Sequence, residues 1–293
     1  MLLRHLVLVL FLIFFWGFNW VIIKIGLDGV SPLALCFARF LFTSLPAVFF
    51  IRRPQIPLKT LAAYGLIMFA LQFSLLFAGV YLGVAIGLAA LISQQGQIFF
   101  TLLLVTIFCN ERPNKWQVIG ILISWIGIGI IAVNLRASAS FSGALLVIAS
   151  SAAWGIGNLI SKKLQTTQML PVVVWGSFFA WPPMLLLAVF TEGTHGFVNN
   201  FIHMSWVSFG AIIYLGYVAT LFGFGTWSFL LKRYPAATVV PFTLLIPFVA
   251  FLSSAIVLGE QIKPWEVLAG AIVVFGLCFS LVFSRLLEQR VKS

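Results

Sequence analysis

The chain has 293 residues, of which 62% are hydrophobic and only 8% charged, and it carries a formal net charge of +11. A water-soluble domain carries roughly 25% charged residues, so this composition excludes a soluble enzyme. Membrane-crossing helices need roughly 20 consecutive apolar residues, and such runs recur along the whole sequence, which predicts an all-α polytopic membrane protein.

Glycine, proline and charge punctuation divides the chain into ten apolar stretches, at about 5–24, 33–51, 60–80, 85–108, 115–134, 142–161, 171–190, 206–229, 236–258 and 266–284. The first follows MLLRH and reaches Lys24 without a small-residue cleavage site, so it reads as a retained helix rather than a signal peptide. It holds Asn19 between Trp16 and Trp20; an asparagine inside a helix needs a partner, whereas tryptophan near a helix end commonly belongs to the interfacial belt. Arg39 enters the second stretch near its outer end, where it either snorkels to the surface or serves as a carboxylate-binding cation. Gln72 is a buried amide in the middle of the third.

The fourth stretch is the most informative. It keeps Gln94, Gln95 and Gln97 at mid-depth, where an unsatisfied polar group costs several kcal/mol. Gln94, Gln97 and Thr101 share one helix face, Gln95 points about 100° away, and Gly96 admits close approach of a helix or a ligand. Polar residues at this depth face a bundle interior or a water-filled path; the plainer reading is interhelical glue. In the sixth stretch Trp154 and Asn158 repeat the Trp–Asn pattern of the first. Tyr214 and Tyr217 of the eighth either line a cavity or pack, and Gly216 and Gly223 share a face suited to close helix packing. Pro241 and Pro247 flank Thr243 in the ninth and predict a kinked or unwound helix there. The site expected from these residues is Trp16, Asn19, Gln72, Gln94, Gln97, Trp154, Asn158, Tyr217 and Thr243, with nothing catalytic.

A cytoplasmic N-terminus puts thirteen of the seventeen lysines and arginines on the inner side and Lys24, Arg136 and Lys263 outside, as the positive-inside rule requires. The basic charge thus reflects topology, and no nucleic-acid partner is expected. Lys24 and Lys162 read as helix-end anchors, and Glu111 and Glu260 as helix terminators or local ion-pair partners. Trp16-Gly17 to Lys24 has the spacing of Trp154-Gly155 to Lys162, and Glu111, Trp116 and Gly127 recur as Glu260, Trp265 and Gly276 at one offset of 149. Two repeats, 1–137 and 138–293, follow. Five spans each make the second copy insert upside down, a plan of secondary transporters whose site lies between the repeats.

No acid sits at the centre of any stretch, which disfavours carboxylate-driven antiport. Glu192, His195 and His203, in the longest outer loop, match no common ligand spacing. Cys36, Cys109 and Cys278 read as small apolar residues. No metal or cofactor is expected.

WGFNWVIIK (16–24), ARF (38–40), QFSLLFAGVYLGVAIGLAALISQQGQIFFT (72–101), NERPNKWQVIG (110–120) and YLGYVATLFGFGTW (214–227) resemble the EamA family of the drug/metabolite transporter superfamily, over essentially the full chain. The third and last are similar to its O-acetylserine/cysteine exporter branch; Asn110-Glu111 departs from the usual Gly-Glu. The resemblance implies ten helices in a bacterial inner membrane, both termini cytoplasmic, and efflux of amino acids or their derivatives through a central cavity. Membrane lipid and a small-molecule substrate are the expected partners, a proton is the candidate coupling ion, and monomer and homodimer stay open. Efflux of organic cations is the alternative, and a polytopic membrane enzyme a remote one.

Overall fold

The computed structural model describes residues 1–84, 86–134, 140–166, 168–259 and 264–292. Among them the regular structure is helical throughout, in ten rods: α1 (Leu3–Gly26), α2 (Pro32–Val48), α3 (Leu58–Tyr81), α4 (Ile86–Cys109), α5 (Lys115–Asn134), α6 (Phe141–Lys163), α7 (Met169–Ile202), α8 (Trp206–Arg233), α9 (Ala236–Leu258) and α10 (Pro264–Lys292). Seven segments are long and apolar enough to cross a bilayer by length and composition, in α1, α3, α4 and α6–α9. Pro32–Val48 and Val267–Ser280 are shorter apolar helices. Large apolar side chains such as Phe11, Phe14, Leu186, Phe190 and Phe275 stand more than half exposed on the outer faces. In water that girdle would be an aggregation surface; against lipid it is the expected coat of a polytopic membrane protein.

Local chemistry sets the helix ends. Ser31, Ser140 and Ser205 cap α2, α6 and α8, their hydroxyls accepting from the Ala34, Gly143 and Ser208 amides. Asn114 and Gln117 exchange side-chain and backbone bonds of 2.9 Å at the start of α5, a capping box. Gly259, at φ 68°, closes α9. Helix α7 runs on past the predicted end near 190, through a break at Gly193 (φ 71°), so the expected outer loop is helical to Ile202. There Glu192 accepts from Ser31 Oγ (2.6 Å) and Asn200 Nδ2 (2.8 Å) rather than joining His195 and His203. Among the described residues no three potential ligands group to hold a metal.

Three departures from regular winding matter for the site. Leu66–Leu71 of α3 and Tyr214–Phe222 of α8 wind as π-helix, a form concentrated at functional places. Val240–Leu245 of α9 tightens to 3₁₀, where the two prolines predicted an interruption.

Small residues let the rods approach, as between lipid-embedded helices. A Cβ on Gly17 of α1 would lie 2.3 Å from Val249 Cβ of α9, and one on Gly155 of α6 would lie 2.8 Å from Phe100 Cβ of α4. Between α5 and α10, a Cβ on Gly127 would meet the Ala269 carbonyl oxygen at 2.7 Å, and one on Gly276 the Gly120 carbonyl oxygen at 2.6 Å. Gly96 of α4 is used in this way, against Ser151 of α6. Trp116 stacks on Phe283 at 5.0 Å, and Leu2 N donates to Tyr234 OH. Both chain ends therefore lie at the end of the bundle that carries the α8–α9 turn, called the terminal end below. The α1–α2 and α3–α4 turns lie at the opposite end.

Candidate functional site

A cavity of about 150 Å³ runs from mid-depth toward the α1–α2 and α3–α4 turns. Its mouth is apolar, formed by Leu27, Pro32, Phe77 and Val80. Its polar wall combines Asn19 of α1, Gln72 of α3, Ser93, Gln94 and Gln97 of α4, and Thr243 of α9. The aromatic floor is Trp16, Trp154 and Phe224. Trp16 and Trp154 meet edge-on at 5.7 Å, and Phe224 lies 5.6 and 5.4 Å from them, within the usual range for favourable ring pairs. Trp16 Nε1 donates to the Ala219 carbonyl (3.1 Å) in the π segment of α8, and Gly223 leaves room for its indole.

Seven of the nine residues expected from the sequence thus lie on one cavity wall or floor: Trp16, Asn19, Gln72, Gln94, Gln97, Trp154 and Thr243. Trp20 lines it too rather than only the interface, while Gln95 does not. Asn158 and Tyr217 lie elsewhere. Tyr217 is 37% exposed on the outer face, and Tyr214 OH donates to the Phe15 carbonyl (3.0 Å). Asn158 is fully buried below the floor, donating to Thr101 Oγ1 and accepting from Trp227 Nε1, both at 2.9 Å. Thr101 is absorbed in that contact. The reason is register: the spacing that carries Trp16 onto Trp154 carries Asn19 onto Gly157, and one residue further turns a side chain by about 100°.

Asn158 accordingly holds structure. Asn158→Ala orphans both the Trp227 indole N–H and the Thr101 hydroxyl, so it is expected to cost ~1–3 kcal/mol of stability with the transport KM unchanged. Reversible unfolding in mixed micelles measures the first and vesicle kinetics the second.

Three cavity amides carry an oxygen without a hydrogen-bond partner: Asn19 Oδ1, Gln72 Oε1 and Gln94 Oε1. Gln97 instead donates to Ser93 Oγ (2.9 Å). Against the snorkelling alternative, Arg39 is only 4% exposed and lines the same cavity. Its Nε donates to Thr220 Oγ1 (2.7 Å), which donates onward to the Leu215 carbonyl (2.7 Å). The guanidinium lies 4.8 and 5.4 Å from the Phe73 and Phe40 ring centres. The ARF stretch signals the residue; its burial emerges only from the packing of α2 against the π segment of α8.

The terminal end is closed. Glu111, after α4, pairs with Lys162 at the end of α6 (2.8 Å) and accepts from the Ala236 amide that begins α9 (3.0 Å). Lys162 also donates to the Leu231 and Tyr234 carbonyls, at 2.7 and 3.1 Å, and Lys232 bonds the Leu164 carbonyl. Lys162 is therefore a cross-link between helix ends rather than only an anchor. Glu260, Arg136 and Lys263 lie outside the described residues.

A helical membrane protein with a solute-sized, largely apolar cavity at mid-depth that carries one polar wall, reached from one end and tied shut at the other, belongs in class with membrane transporters. The sequence pattern of the EamA-like transporter family matches residues 3–133 and again 141–282, and the chain belongs to that family. It is 36% identical over 282 residues to a protein of Salmonella typhimurium named "Probable amino-acid metabolite efflux pump", covering 94% of each chain. An Escherichia coli K12 protein of the same name is 32% identical, covering 92% of each. A "Probable terminal-alkyne amino-acid exporter" of Streptantibioticus cattleyicolor is 26% identical over 94% of this chain and 92% of its own. One crystal structure superposes with a TM-score of 0.78 at 16% identity, over 96% of this chain and 98% of that one, a likeness of fold.

Proposed function

We propose that this protein is a secondary exporter of small amino acids or their derivatives, of the size and polarity of cysteine or O-acetylserine, working by alternating access between two inverted five-helix repeats, 1–137 and 138–293. The observation that carries the reading is the mid-depth cavity, open toward one end only while Glu111 and Lys162 tie the other. At about 150 Å³ it is smaller than the ~300–1,000 Å³ pockets of drug-sized ligands, and neutral amides hydrogen-bond a polar solute without adding a further buried charge beside Arg39.

Exchange symmetry in the packing supports the repeat. Swapping halves turns the α1–α9 contact at Gly17 into the α6–α4 contact at Gly155. Likewise Gly127 against Ala269 becomes Gly276 against Gly120, at the offset of 149. Ser124 Oγ donates to the Val273 carbonyl, 149 residues on, where the two copies cross. Such a pair of halves, trading conformations, opens one site alternately to two sides. By the lysine and arginine bias the terminal end is cytoplasmic, so the conformation described faces outward, in a bacterial inner membrane, with lipid around a monomer or homodimer.

The names of the relatives, two amino-acid metabolite efflux pumps and an amino-acid exporter, agree with this direction and substrate class. Efflux of organic cations fits less well, since the guanidinium of Arg39 lies in the cavity wall. The test is purified protein in liposomes, given a labelled panel of amino acids, O-acyl derivatives and a quaternary ammonium, with and without a proton gradient. Saturable amino-acid counterflow supports the exporter; uptake of the quaternary ammonium alone overturns it. Gln97→Ala and Asn19→Ala are expected to cut that counterflow about tenfold with normal membrane levels. Wild-type rates in both would remove those residues from the site.

A further inference from the structure

The polar groups around the cavity are unequal in a way that specifies a ligand. On the α2 wall, Arg39 presents a guanidinium that is buried and, among the described residues, pairs with no carboxylate. An arginine has five N–H donors, and the partner found for them here is Thr220 at Nε, with the rings of Phe73 and Phe40 beside the head group. A cation so enclosed is costly unless an anion and further hydrogen bonds meet it. Along the other walls, Gln72 and Gln94 are 2% and 8% exposed, and their amide oxygens, with that of Asn19, accept from nothing in the protein.

We infer that Arg39 is the carboxylate anchor of the cavity and that the amide oxygens of Asn19, Gln72 and Gln94 receive the ammonium, so that the substrate is an α-amino-acid zwitterion held by both charged ends. This rests on the exporter reading and narrows it, because it makes the free carboxylate obligatory. Thr220 and Phe73 act as positioning residues. The hydroxyl of Thr220, itself tied to the Leu215 carbonyl one π turn back, fixes Nε and leaves the far edge of the guanidinium for a two-oxygen acceptor. Such pairing is bidentate and strongly directional. The apolar mouth of Leu27, Phe77 and Val80 then faces the substrate side chain, which would tolerate variation there. Decarboxylated amines and amino-acid amides keep the ammonium but lose the anchor.

The experiment compares wild type, Arg39→Gln, Arg39→Lys and Thr220→Val in liposomes and as purified protein. Each is given one transported amino acid, its carboxamide and its decarboxylated amine, and both counterflow and ligand-induced thermal stabilisation are read. Hydrogen bonds to charged groups contribute ~1.5–3 kcal/mol, about 10- to 100-fold in affinity. Arg39→Gln should therefore raise the amino-acid KM by at least about tenfold while leaving the amine and the amide within about twofold of their wild-type values. Arg39→Lys should recover part of the loss, and Thr220→Val should show a smaller loss with the same selectivity.

Equal loss of all three ligands in Arg39→Gln would make the arginine structural and overturn the anchor. So would unchanged amino-acid affinity, or a wild type stabilised by no carboxylate-bearing compound. Carboxylate-dependent stabilisation that vanishes in Arg39→Gln, without transport of any panel member by the wild type, would keep the anchor and overturn the exporter instead.

Discussion

Gly65→Ala is expected to leave almost no folded protein in the membrane. A Cβ at position 65 of α3 would lie 2.0 Å from the Gly176 carbonyl oxygen of α7 and 2.7 Å from its carbonyl carbon. Carbon–oxygen contacts between close helices settle at about 3.3 Å or more, so the two rods would have to part by more than about 1 Å. Nothing nearby can yield cheaply, because the obstructing atoms are backbone and the flanking Tyr64 and Phe69 are fully buried. The separation would also disturb the π segment that starts at Leu66 and, through it, the placement of Gln72 and Phe73. Overpacking of this severity exceeds the ~4–5 kcal/mol that marks exceptional single substitutions, against a total stability of ~5–15 kcal/mol. Gly225→Ala supplies the control, since a Cβ there meets nothing within 4 Å. Size-exclusion profiles and thermal transitions in detergent decide it. A monodisperse Gly65→Ala protein melting within a few degrees of wild type would refute the packing described for α3 and α7.

What the sequence disclosed and what it withheld follow from the range of the interactions. Apolar length and helix punctuation are local, so the ten stretches correspond to ten rods, with ends displaced by a few residues except in α7 and α10, which run on past their expected C-terminal ends. The prolines at 241 and 247 remove donors wherever the chain lies, and the ninth rod is rewound between them. Mid-depth amides at 72, 94 and 97 are costly facing lipid, so they turn inward to the cavity. The π segments were not legible. LIMFAL at 66–71 carries no proline or glycine, and the wider winding accompanies tertiary contacts: Gly65 against Gly176 in α3, and the Thr220 bond to the Leu215 carbonyl in α8. Arg39 was ambiguous for the same reason. Whether a long cation reaches water depends on the neighbouring rods, and here α8 closes over it. Asn158 was assigned by analogy with Asn19, and an error of one residue in aligning the halves sent it to the wrong face. Helical continuation past Gly193 was hidden because a polar run after an apolar one reads as loop, whereas Glu192 and Asn200 are held by Ser31.

Lys162→Met is expected to shift the protein out of the conformation described by about a hundredfold. In that conformation the ammonium joins three elements: Glu111 after α4, the α8 carbonyl of Leu231, and Tyr234 beside the start of α9. On the alternating-access reading, opening of the terminal end separates α4 and α9 from α6 and α8, so the Glu111 pair belongs to the closed state alone, while the Leu231 bond stays on the α6–α8 side. Lys162 and Glu111 are 10% and 28% exposed, so solvent screens them only in part. Breaking one side of such a buried pair costs ~3–5 kcal/mol; partial exposure of Glu111 brings this to the lower bound, and ~3 kcal/mol is about two decades in population. The stranded Glu111 carboxylate, already 28% exposed, becomes more fully hydrated when the terminal end opens, which adds to the shift in the same direction. Leu76 lines the cavity on the α3 side. In a background with Cys36, Cys109 and Cys278 replaced, a cysteine at position 76 should react with an impermeant thiol reagent from the cavity mouth much more slowly once Lys162 is methionine. Counterflow should fall with it, since return to the mouth-open state becomes limiting. Adding Glu111→Gln removes the stranded charge and should restore part of both rates, a coupling that a simple folding defect does not produce. Unchanged labelling and transport in Lys162→Met, at normal protein levels, would make the ion pair a bystander and leave closure of the terminal end to apolar packing.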